Sequence, residues 1–180
     1  VPASSRPGSP PTPPFSLPLR PPIRLLSPRI QHYRIHEDLR VDLDADLVLL
    51  HGPNESGKST LAEALHHALF LAAKGAGQTH QRLQSLRGGT PEVELTFEAG
   101  GRHHTVRKRF ASSGTTVLES EGQTALQGSA AEEALAQILQ VGEAASGRGA
   151  DKILDQRWAH LWVRFFFNDT ATTEKLDEAQ

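Results

Sequence analysis

The stretch Leu47-Val48-Leu49-Leu50-His51-Gly52-Pro53-Asn54-Glu55-Ser56-Gly57-Lys58-Ser59-Thr60 decides the fold. Its four leading apolar residues read as a strand buried on both faces. Residues 52–59 fit G-x-x-x-x-G-K-[ST], a phosphate-binding loop. Each residue type has a physical reason. Gly52 and Gly57 let the backbone curl so that successive N–H groups point at phosphate oxygens. A helix opening at Lys58 aims its positive end at the same anion. Lys58 can reach β- and γ-phosphates as a point charge, and the Ser59 hydroxyl can ligate Mg²⁺. The spacing predicts a helix over 58–73, with Leu61, Leu65, Leu69 and Ala72 in one stripe and Ala64 and Ala68 beside it. Lys74-Gly75 then supplies a stop. A buried strand before the loop and an amphipathic helix after it distinguish this from a chance glycine turn.

Outward from the loop, Leu39, Val41 and Leu43 alternate with Arg40, Asp42 and Asp44, as in a half-buried strand. Downstream, Val93, Leu95 and Phe97 alternate with Glu92, Glu94 and Thr96. Ala99-Gly100-Gly101 turns the chain, and His104, Val106, Lys108 and Phe110 share one face of a return strand. A third strand is predicted over 116–118. A helix is predicted over 130–141, with Ser129 and Glu132 as a capping box and Gly142 as its end. The ordered region is expected to start near Arg29. The fold class is α/β.

The chain has 180 residues, enough for one domain on the prior of about 100–200 residues each. Its 37% hydrophobic content is low against roughly 45–50% for globular domains. The net charge of −2 excludes a histone-like polycation, and the lack of cysteine excludes disulfides, Cys-ligated metal and thiol catalysis. The apolar runs at 47–50 and 68–73 fall far short of the ~18 residues of a membrane helix. A chain that starts at Val1 and holds no Met reads as a processed product, a fragment or a mis-called frame.

Ten of the twelve prolines lie in residues 1–28, and the first acidic residue is Glu37. Three readings fit that leader: a disordered polyproline-type tail, an acid-free targeting peptide, or translated upstream sequence. No function attaches to it. Nine histidines invite a metal reading, but His66 and His67 point about 100° apart on a helix and His103 and His104 to opposite faces of a strand. No metal site other than nucleotide Mg²⁺ is expected. Arg102, Arg107, Lys108 and Arg109 read either as a solvated strand face or as a basic patch for DNA backbone.

The string Gly-Pro-Asn-Glu-Ser-Gly-Lys-Ser-Thr at 52–60 resembles the Walker A motif of the ABC-type chromosome and DNA-repair ATPases, the SMC, SbcC, RecN and YhaN-like group. Ile30-Gln31-His32-Tyr33-Arg34 looks like that group's opening strand, Leu61-Ala62-Glu63-Ala64-Leu65 like the helix after its loop, and the hairpin at 93–110 like its antiparallel subsheet. The resemblance covers roughly 29–163. It implies a P-loop NTPase fold, a partial ABC-type head lobe with an antiparallel β-hairpin subsheet. It also implies ATP and Mg²⁺ as cofactors. The nucleotide-binding set is Gly52, Asn54, Glu55, Ser56, Gly57, Lys58, Ser59 and Thr60, with Arg34 near the phosphates and Ser59 on the metal. Implied partners in a full-length protein are a second ATPase head, DNA and a nuclease subunit, in the cytoplasm and off the membrane.

Parts of that pattern are missing. Four apolar residues followed by Asp-(Asp/Glu), the Walker B acid, do not occur; Ile153-Leu154-Asp155 is too short. Ser85-Leu86-Arg87-Gly88-Gly89 echoes the Leu-Ser-Gly-Gly signature in the wrong order and place. No heptad pattern runs long enough for a coiled coil, and no catalytic carboxylate is identified. Residues 164–175 look like the peptide obtained by translating a sequencing adapter, the alternative being a hydrophobic strand and polar tail. The expected organisation is a leader at 1–28, the lobe at 29–163 and a non-native tail at 164–180. Rival functions are a P-loop small-molecule kinase and a nucleotide-binding fragment without turnover.

Overall fold

The computed structural model describes residues 23–45, 48–53 and 55–157. Six strands form one sheet in the order β2-β1-β3-β4-β5-β6. They are β1 (Arg24–Tyr33), β2 (His36–Arg40), β3 (Glu92–Ala99), β4 (Arg102–Arg109), β5 (Thr115–Ser120) and β6 (Leu126–Gln127). Every neighbouring pair is antiparallel. The helices are α1 (Lys58–Phe70), α2 (Gln78–Arg82), α3 (Ser129–Ile138) and α4 (Ala150–Arg157).

The hairpin follows its sequence pattern closely. Val93, Leu95 and Phe97 are buried, and so are His104, Val106 and Lys108 opposite them. Gly100 and Gly101 both have positive φ, 58° and 72°, which the tight two-residue turn demands and glycine supplies without a Cβ penalty. The outer face stays polar. Glu94 lies directly between Arg29 and Arg107 across the strands and pairs with Arg107. One solvated face is the ordinary state of an antiparallel sheet.

α1 covers the inner face. Its Leu61, Ala64, Leu65, Ala68 and Leu69 pack into the core with Ile30, Val93, Leu95, Phe97 and Val106. The helix stops at Phe70, with Leu71 already extended, three residues before the predicted end. α3 packs against β5 through Leu135 and Ala131.

Several expectations are corrected. β1 opens at Arg24, so Pro28 lies within a strand flanked on both sides. Pro28 is tolerated because β2 ends at Arg40, the residue opposite Arg29. Its carbonyl still accepts from Val41 N–H (3.2 Å), and only its missing donor goes unused on that side. Residues 48–50 form no strand: Leu49 is 80% exposed and Val48 and Leu50 are exposed too, while Leu47 lies outside the described residues. A strand buried on both faces needs paired strands on both edges, and among the described residues no strand or bridge pairs with this run. The capping box does not form. Gly128 is the N-cap, Ser129 the first helical residue, and the Glu132 carboxylate leaves the helix end for Lys108. α3 ends at Ile138, and Gln140 rather than Gly142 takes the left-handed backbone after it. The third strand is longer than expected at both ends.

Candidate nucleotide-binding site

α1 begins where the loop ends. Gly57 is its N-cap, with φ 91°, a backbone that a side chain would strain. No side chain caps the helix, and its first turn holds no acidic residue. The N-terminal N–H groups and the dipole therefore face the loop with no protein anion to answer them. Glu55 is also left-handed, at φ 65°, and its side chain is exposed.

The Lys58 ammonium is folded back into the loop. It donates to Gly52 O (2.7 Å) and Pro53 O (2.6 Å) and lies 3.2 Å from Ser56 Oγ. This wraps the loop around the charge that a phosphate would meet. Ser59 is exposed at the helix start and Thr60 half-buried behind it. The donor set fits a phosphate with a hydrated divalent cation: uncapped helix N–H groups, one ammonium and an exposed hydroxyl. Thus Gly52, Glu55, Ser56, Gly57, Lys58, Ser59 and Thr60 come together in one loop and helix start. Asn54 lies outside the described residues.

Arg34 goes elsewhere. It occupies the β1–β2 turn at φ 50°, pairs with Glu63 on α1, and donates through Nε to Arg82 O (3.1 Å). Burial raises the Glu63 carboxyl above its ordinary value, and Arg34 and Arg82 oppose that shift. Arg34, Glu63, His67, Arg82 and Asp151 line a cavity of about 330 Å³. A cavity of about 440 Å³ sits at the other end of α1, between Lys74, Thr116, Glu132 and Glu143. Its half-buried carboxylate, Glu132, is already committed to Lys108.

The basic patch dissolves. Lys108 is fully buried, donating to Leu71 O and Glu132 Oε2, both at 2.7 Å. Arg107 is paired with Glu94, Arg109 is exposed on the same outer face, and Arg102, in the alternation of His104, is exposed at the start of β4. Gly88 and Gly89 of the signature-like string form a left-handed turn that presents Leu86 to solvent. Among the described residues no three His, Asp or Glu side chains gather as a metal centre.

Sequence reasoning missed Ile35 and His36, and it weighed His67 only as a metal ligand. His36 Nε2 lies 3.2 Å from Gly57 O, and Ile35 leans on the same glycine. His67 Nδ1 and the buried Tyr33 hydroxyl share a hydrogen bond of 2.6 Å. No local signal marks them, because each partner is about twenty residues or more away in the chain.

Comparison with known proteins follows the same line. Over 86 residues the chain is 34% identical to the DNA double-strand break repair Rad50 ATPase of Halobacterium salinarum, covering 47% of this chain and 10% of that one. It is 29% identical over 115 residues to the protein of the same name in Methanocaldococcus jannaschii, covering 63% and 11%. It is 28% identical over 98 residues to the DNA replication and repair protein RecF of Chlamydia caviae, covering 53% and 26%. Among solved structures, the recombination mediator protein RecF with ATP matches at a TM-score of 0.47 and 16% identity, covering 63% of this chain and 30% of that chain. The chain thus spans about a tenth of the Rad50 relatives and a quarter of the RecF relative. The family profile described as an AAA domain matches residues 29–179. This chain, an α/β protein with a P-loop, belongs to the AAA domain family.

Proposed function

We propose that this chain is the ATP-binding lobe of a DNA-repair ATPase. The observation that carries the reading is the start of α1: a glycine N-cap at φ 91°, no side-chain cap, no acid in the first turn, and Lys58 gathered into the loop before it. ATP phosphates supply the anion that this arrangement lacks. The Ser59 hydroxyl would hold Mg²⁺. Arg34 reaches the phosphates only by leaving Glu63.

Hydrolysis belongs to a longer protein, since this sequence holds no acid after four apolar residues to position water. The chain alone binds nucleotide without appreciable turnover. In the longer protein a second head, DNA and a nuclease subunit are the partners, acting in double-strand break repair or chromosome maintenance in the cytoplasm. The names of the Rad50 and RecF relatives support the repair assignment. No helix among the described residues is long and apolar enough to cross a membrane. The kinase reading is not favoured: it expects further parallel strands after the first helix, and here β3, β4 and β5 are antiparallel.

A thermal shift with Mg·ATP tests the reading. A ligand at 100 times its Kd adds about 2.7 kcal/mol, or roughly 5–10 °C for a chain of this size. The wild type is expected to show it and Lys58→Ala to show none. Equal shifts in both refute the role of Lys58.

A further inference from the structure

We infer that the β1–β2 turn is a positioning clamp on the phosphate-binding loop, with His36 as its hydrogen-bonding tooth; the inference rests on the nucleotide reading above. The Gly57 carbonyl receives two donors. One is Leu61 N–H at 2.8 Å, the first bond of α1. The other is His36 Nε2 at 3.2 Å, which must carry the proton because a carbonyl only accepts. In a trans peptide the carbonyl and the following N–H point in opposite directions. Holding Gly57 C=O toward the helix and His36 therefore turns Lys58 N–H the other way, into the loop mouth. A phosphate must be met by that N–H in a fixed direction.

The turn also fills the space beside Gly57. A Cβ built there would lie 2.5 Å from His36 Cε1 and 2.7 Å from Ile35 Cδ1. Glycine at 57 is thus required twice, by its φ of 91° and by the turn pressed against it. Arg34, in the same turn, is tied to Glu63 on the second turn of α1 and to Arg82 O at the end of α2. Three consecutive residues of one turn therefore hold the loop's last peptide and the helix behind it. None of the three is in the loop motif. His36 is the one whose contact acts on the peptide that faces the phosphate.

The test titrates Mg·ATP into the full 180-residue chain as wild type, His36→Phe, His36→Gln and Lys58→Ala, with the ligand-free Tm of each. His36→Phe keeps a ring against Gly57 and removes the donor; His36→Gln keeps a donor within reach of Gly57 O. His36 is half-buried at the surface, so both are expected to fold. If the phenyl ring lowers the ligand-free Tm, His36→Leu takes its place. The expected result is a Kd about fivefold weaker for His36→Phe, the loss of one hydrogen bond, and within twofold of wild type for His36→Gln, at matched ligand-free Tm. Equal Kd values for His36→Phe and His36→Gln overturn the clamp, whether both match wild type or both are weakened alike. A wild type that binds no better than Lys58→Ala overturns the nucleotide reading instead.

Discussion

His67 combines a hydrogen bond and burial in a way that sets an acid limit on the fold. Tyr33 lies in the core with its hydroxyl held well above the ordinary phenol value by burial, and that hydroxyl shares a hydrogen bond with His67 Nδ1. Burial first, then charge interactions with His66, Arg34, His80 and Lys108, push His67 down to about 3. In the unfolded chain it titrates near 6.5. Between those values the unfolded chain binds a proton that the folded one refuses. The stability this neutral histidine provides is complete above 6.5 and is lost as pH falls toward 3, at a slope approaching about 1.4 kcal/mol per pH unit. Urea unfolding between pH 7.5 and 5 is expected to show wild-type stability falling below 6.5. His67→Gln, whose amide can either donate to or accept from Tyr33, is expected to fall less steeply. Parallel profiles for the two proteins would remove His67 as the acid-sensitive group.

At the scale of elements, residues 48–50 and α1 make opposite predictions from the same kind of apolar sequence. Leu65 on α1 is buried under the sheet, and Leu65→Ala is expected to cost about 2–5 kcal/mol through lost burial and a cavity. Leu49 is 80% exposed, so Leu49→Lys is expected to change stability by less than about 0.5 kcal/mol. Comparable losses in both, read by urea unfolding, would mean that the 48–50 run is packed. The contrast shows where the sequence was legible. Alternation in β3 and β4 and the Gly100–Gly101 turn are local, so they can be read from adjacent residues. The loop and α1 are legible for the same reason. The exposure of 48–50 was not, because an apolar run states what it would tolerate and not which neighbours stand beside it. Ser129 and Glu132 have the spacing of a capping box, yet Lys108 on another element outcompetes the helix end for the carboxylate. The His36 contact with Gly57 was illegible on the same principle, since it joins a turn to a loop 21 residues away.

The whole molecule is joined at Glu132. Its Oε1 accepts Ala73 N–H (3.0 Å) just beyond α1 and the Thr116 hydroxyl on β5 (2.5 Å). Its Oε2 accepts the Lys108 ammonium on β4, which also donates to Leu71 O. One carboxylate on α3 thereby binds the segment after the loop's helix to the centre of the sheet. Burial pulls Lys108 below its ordinary value, while Glu132 opposes that shift. A buried charge deprived of its partner is strongly destabilising, by about 3–5 kcal/mol, whereas removing both charges together costs far less. Glu132→Gln and Lys108→Met are therefore each expected to lower the unfolding free energy by that amount. The double variant should fall well short of the sum, because neither remaining group faces an unpaired charge. A double-mutant cycle in urea reads the coupling directly. Single effects below about 1 kcal/mol that add in the double variant would mean that the sheet and helices hold together without this junction.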